Sequence, residues 1–152
     1  MEFLAEYGYI GLFLVSFIAA TIFPLSSEGV LSLMLIYDYP LIPLVVVATL
    51  GNFLGGMSSY FLGYLGKVEF LSKYFRLDKA KLDRFQQKFQ SKSGVIAFFC
   101  WLPVVGDLIA VSLGLFRAQV LSVSIFMFAG KFLRYAVWAG LTFYGIEIFA
   151  AN

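Results

Sequence analysis

Five polar side chains interrupt apolar runs in this chain: Glu28, Asn52, Asp107, Lys131 and Arg134. Carboxylates in apolar surroundings have raised pKa values and can take and release a proton, or hold a cationic group. Lys131 and Arg134 are three residues apart and share a helical face, with Tyr135 beside them. Arginine suits an anionic headgroup such as a phosphate, because its planar fork matches the oxygens. Each acid also has a structural reading, in which it favours a helix N-terminus through the dipole. The cations likewise have one, as internal ion-pair partners of Asp107 or Glu28. Asn52 would line the same site.

The acids belong to a motif that occurs twice, 79 residues apart. Pro24-Leu-Ser-Ser-Glu28 and Pro103-Val-Val-Gly-Asp107 each break an apolar run with a proline followed four residues later by an acid. Pro24, Pro103 and Gly106 are the expected hairpin breakers, and Ser26 or Ser27 would cap a helix beginning near Gly29. Downstream, Gly51-Asn-Phe-Leu54 recurs as Gly130-Lys-Phe-Leu133, and Gly66 as Gly145. Two matched copies of helix breakers and charges suggest one site built from two halves. The halves differ in charge, since Asn52 matches Lys131 and Gly55 matches Arg134.

The elements that hold these residues are apolar throughout. The 152 residues are 61% hydrophobic and 13% charged, with mean hydropathy +0.89. Soluble domains carry roughly 25% charged residues, so the bilayer is the expected solvent. Histidine is absent and Cys100 is alone. No intrachain disulfide can form, and no metal site, cofactor or catalytic residue is expected. The N-terminus, with Glu2 and Glu6, does not read as a signal peptide.

Residues 8–37 are broken at Pro24–Glu28 into arms of about 24 and 14 Å. The second is too short for a hydrocarbon core about 30 Å thick, so a re-entrant hairpin is expected. Residues 44–66 give a full span, 95–116 a second hairpin, and 119–150 a last long span. Gly51, Gly55, Ser59 and Gly63 recur every four residues, a small-residue face for close helix packing and a candidate surface for a second copy.

Residues 67–94 hold eight of the eleven basic residues against three acids, a local charge of 8 − 3 = +5. The positive-inside rule places this linker in the cytoplasm. Leu71, Phe75, Leu82, Phe85 and Phe89 form one stripe, with Asp78 as N-cap, which reads as a helix lying on the inner membrane surface. Nucleic-acid binding would leave that stripe unburied and is not expected. With one hairpin and one crossing per half, the repeat becomes inverted and both termini lie outside. Arg117 would be cytoplasmic and the corresponding Asp38 turn external. The expected fold is therefore a single all-α membrane domain over 1–152. It comprises repeat one at 8–66, a cytoplasmic amphipathic linker at 67–94 and repeat two at 95–150.

These segments resemble the DedA family, in its small YqaA-like branch. The resemblance rests on Phe23–Glu28, Gly51-Asn-Phe-Leu-Gly-Gly with Tyr60-Phe-Leu-Gly63, Trp101-Leu-Pro-Val-Val-Gly-Asp107, and Gly130-Lys-Phe-Leu-Arg-Tyr135. It implies a multi-pass protein of the bacterial inner membrane with two opposed re-entrant hairpins. It also implies translocation of a lipid or lipid-linked phosphate, with protons as the driving ion. The chain departs from the family pattern at four places. The Pro-x-Pro-Gly-Glu element carries over only to Pro24 and Glu28, an acid of larger members is Gly56, and two arginines are Cys100 and Gly106. Lys131 and Arg134 would have to supply the cations. The leading expectation is a small transporter or lipid flippase. A scaffold with structural ion pairs is the alternative, and an intramembrane enzyme using Glu28 and Asp107 the weakest reading.

Overall fold

A computed structural model describes residues 2–21, 26–66, 79–103 and 105–150. Every regular element among them is helical. The order is α1 (Glu2–Ala19), α2 (Ser27–Ile36), α3 (Leu41–Leu65), α4 (Lys79–Ser91), α5 (Ser93–Phe98), a 3-10 turn (Phe99–Trp101), α6 (Val105–Leu115) and α7 (Val120–Ala150). Two helices, α3 with 25 residues and α7 with 31, are long and apolar enough to cross a membrane. The chain is an all-α membrane protein.

The boundaries sharpen the sequence reading. The first arm starts six residues earlier than expected, at Glu2, and α3 starts at Leu41 rather than after Pro43. Pro43 is tolerated because it sits in the first helical turn, where its missing N–H would have had no intrahelical acceptor. The second break is shorter than expected. Helix α6 resumes at Val105, so Gly106 and Asp107 lie inside its first turn and not in the break. Proline alone ends the helical run there; glycine and an N-terminal acid are both compatible with a helix start. Pro24 lies outside the described residues, as do Leu71, Phe75 and Asp78 of the linker stripe.

The chain forms two compact units, Met1–Gly55 with Lys131–Asn152, and Gly56–Gly130. Each long helix is thus shared between them. The first unit has a core of Leu12 from α1, Leu31, Met34 and Leu35 from α2, Leu44, Val45 and Ala48 from α3, and Tyr135 and Ala139 from α7. Helix α3 meets α1 at backbone distance. A side chain at Gly51 or Gly55 would collide with the carbonyls of Phe13 and Phe17. The second unit buries Met57 and Tyr60 of α3, Ala97 of α5, Ala110 and Leu113 of α6, and Val123 and Met127 of α7. There Gly63 lies against the Val111 carbonyl and Gly114 against that of Tyr60, while Ser59 is buried. The small-residue face of α3 is therefore filled from within the chain, which corrects its assignment as a surface for a second copy.

Both α2 and α6 end in the same turn. Tyr39 N–H donates to Met34 O at 3.1 Å and Asp38 N–H to Leu35 O at 3.1 Å. Ala118 N–H donates to Leu113 O at 2.9 Å and Arg117 N–H to Gly114 O at 2.8 Å. These are Schellman caps at matching repeat positions. Asp38 and Arg117 occupy the left-handed position, with φ of 61° and 53°. Glycine is the usual residue there, and a side chain costs roughly 1–2 kcal/mol.

Candidate functional site

In the first unit, Ser26 starts α2 by accepting a hydrogen bond from Gly29 N–H at 3.2 Å. The helix therefore begins at Ser27, two residues earlier than expected, and Glu28 stands in its first turn. Negative charge is favoured there by the helix dipole. Helix α7 presents Lys131, Arg134, Tyr135, Trp138 and Thr142 at three- and four-residue intervals, which places them on one side.

The two elements meet through that stripe. Arg134 forms an ion pair with Glu28, and their side chains are 19% and 14% exposed. Ser27 Oγ and Tyr135 OH share a hydrogen bond of 2.7 Å. Further along, Trp138 Nε1 donates to Ser32 Oγ at 3.0 Å, and Ser32 Oγ lies 3.3 Å from Thr142 Oγ1. Of the two acids open to the cations from sequence, Glu28 is the one that shares this unit with Arg134.

Lys131, one turn before Arg134, is only 2% exposed and donates to Asn52 Oδ1. Asn52 Nδ2 in turn donates to the Ser16 carbonyl at 3.1 Å, tying the pair to α1. A buried ammonium is stabilised only where such acceptors replace water. Glu28, Arg134, Lys131 and Asn52 are thus brought into one unit, with Arg134 near the middle of the 31-residue α7.

Asp107 belongs to the second unit, half-buried in the first turn of α6. Beside it, Gly106 is buried against the Cys100 carbonyl, where a side chain would collide. This contact lets the chain reverse tightly around Pro103. Cys100 is free and buried.

Ser16, Ser32, Trp138 and Thr142 were not legible as site residues. The spacing 131–134–138–142 was the available signal, but small hydroxyls in apolar helices read equally well as packing residues.

Chemically, the pair offers a carboxylate and a guanidinium whose fork matches two anionic oxygens. The same guanidinium cannot serve Glu28 and a second anion fully at once.

No family model and no solved structure matches the chain. Curated relatives do. It is 36% identical over 141 residues to "Inner membrane protein YqaA" of Escherichia coli (strain K12), covering 89% of this chain and 91% of that one. It is 32% identical over 133 residues to an uncharacterized protein of Haemophilus influenzae, covering 82% and 80%. An "Alkaline phosphatase-like protein" of Lactococcus lactis subsp. cremoris is 28% identical over 127 residues, covering 75% of this chain and 59% of that one.

Proposed function

Because the chain belongs to the DedA family, in the YqaA branch of inner-membrane proteins, we propose that it moves an anionic lipid or lipid-linked phosphate across that membrane, coupled to protons. The observation that carries this reading is the Glu28–Arg134 pair near mid-helix, with Lys131 and Asn52 one turn away. When Glu28 takes a proton, Arg134 is released to hold phosphate oxygens; when Glu28 loses it, the carboxylate competes for the same fork. Lys131 adds fixed positive charge. Asp107 is a second proton-exchanging acid.

The same proposal includes two re-entrant hairpins in an inverted repeat. Contacts within each unit support hairpins that return to the side they left. Tyr9 of α1 meets Tyr39 after α2, with ring centroids 5.6 Å apart. In the second unit, Ser93 at the start of α5 bonds Ser122 at 3.4 Å, just after the chain leaves α6. Arg117 lies 5.0 Å over the ring of Tyr64, close to where α3 leads into the basic linker. That contact supports a position of Arg117 on the linker's side, which in this reading is cytoplasmic by the linker's charge. The termini are then external.

The deciding experiment is a flip assay in proteoliposomes with fluorescent anionic lipids, run with and without a pH gradient. E28Q and R134A should abolish transport while protein abundance stays normal. Falling abundance with unchanged transport per molecule would make the pair structural. The pair itself also favours that second reading, a scaffold held by intramembrane charges. A charge-reversed E28R/R134E protein that behaves like wild type would select the scaffold. The proposed activity is non-enzymatic. The phosphatase-like name of the Lactococcus relatives defines the opposing test, since phosphate release from a lipid monoester by purified protein would overturn it.

A further inference from the structure

We propose that Lys88, Lys92 and Arg117 form a seat for the headgroup of a resident anionic phospholipid of the cytoplasmic leaflet, separate from the transport site. Three observations within the second unit carry this. Phe89 near the end of α4 stacks on Phe116 with ring centroids 4.7 Å apart, which fixes the helix against the turn after α6. Lys92 lies three residues beyond Phe89 and its N–H still donates to Lys88 O at 3.1 Å, so both lysines stay in helical register beside that contact. Arg117 follows Phe116 and is held 5.0 Å above the Tyr64 ring, yet stays exposed, as do Lys88 and Lys92.

Charge and backbone then point to an anionic partner. No acid occurs between Arg84 and Gly106. Asp107 stands at the opposite end of α6, about 15 Å along the helix from Arg117. Among the described residues no carboxylate pairs with Lys88, Lys92 or Arg117. Arg117 also occupies a left-handed position that glycine would fill without strain. The first unit builds the same cap with Asp38, so the turn itself requires no cation. What the side chain adds is an exposed guanidinium fork on the residue after Phe116, whose ring meets Phe89 between the two lysines in sequence. This matches a phosphodiester.

The test is native mass spectrometry of the full chain in detergent, titrated with phosphatidylglycerol or with phosphatidylcholine of the same acyl chains. Phosphatidylglycerol should be retained in preference. R117G should weaken that retention about fivefold, and K88Q/K92Q/R117G about a hundredfold, at the usual worth of one interfacial cation each. R117G should melt at the same or a higher temperature, because glycine relieves the backbone. If it melts lower, R117N keeps a residue tolerant of this backbone and should show the same fivefold loss. D38G should leave lipid retention unchanged. Equal retention of the two lipids, or unchanged retention in the triple variant, overturns the proposal. So does loss in E28Q/R134Q without loss in the triple variant, which would assign the bound lipid to the first unit. The seat stands or falls independently of transport activity, which this experiment does not read.

Discussion

Positions 79 residues apart make different contacts in the two units. In the first, Ser27 bonds Tyr135, Ser32 bonds Thr142, and Leu35 shares the core with Ala139. Their counterparts in the second are Gly106 and Gly56, Val111 and Gly63, and Gly114 and Tyr60. Where α2 meets α7 through hydroxyls, a phenol and an ion pair, α6 meets α3 backbone to backbone at Gly63 and Gly114. The two helix pairs use the same repeat positions for different purposes. Polar contacts between helices can exchange partners at small cost, whereas close-packed backbone cannot shift without voids or collisions. The α2–α7 contact is of the kind that can change partners, and the α6–α3 contact, like that of α3 with α1, of the kind that stays fixed.

Mutations can break this contrast. The largest effect should come from R134A, which ought to eliminate transport in proteoliposomes while the second unit stays folded. The double variant E28Q/R134Q should be equally inactive with little change in melting temperature, because removing a buried pair as a unit is close to neutral. G114A should do the reverse. Its new methyl meets the Tyr60 carbonyl and the Tyr64 amide nitrogen, and the expected loss is about 3 kcal/mol in thermal or denaturant unfolding. Transport per folded molecule should remain. If G114A instead abolishes transport in fully stable protein, the contrast fails.

Smaller effects sharpen it. Y135F removes the partner of Ser27 and should cost about 1 kcal/mol in unfolding. T142V, at the end of the polar stripe, should cost about 0.6 kcal/mol, the typical worth of an interhelical bond in membranes. D38G should stabilise by about 1 kcal/mol or slightly more, through relief of the left-handed side chain. A Y135F loss as large as that of G114A would mean the α2–α7 contact is as unyielding as the α6–α3 one.

Much of this was legible in sequence because backbone physics is local. The break at Pro103, the two long spans, the cap at Ser26 and the shared face of Lys131 and Arg134 follow from spacing. Partner choice does not. Periodicity tells which side of α7 is polar but not which helix meets it, so the pairing of Arg134 with Glu28 of α2 came only from the fold. Sequence alone could not say whether Gly106 lies in the break or beside it, because glycine suits a break and a close approach alike. The glycine face of α3 announced close packing but could not say that α1 and α6 fill it.

Lys131 and Asn52 are repeat counterparts, and they bond to each other across 79 residues of chain. In an assembly of two identical half-length chains, this position would face its own copy. Two lysines there would bury like charges, while two asparagines would carry no cation. A donor opposite a different acceptor requires two halves of different sequence, which this single chain supplies. This contact therefore shows what divergence of the repeats adds: a cation only 2% exposed, facing an acceptor that an identical copy would lack.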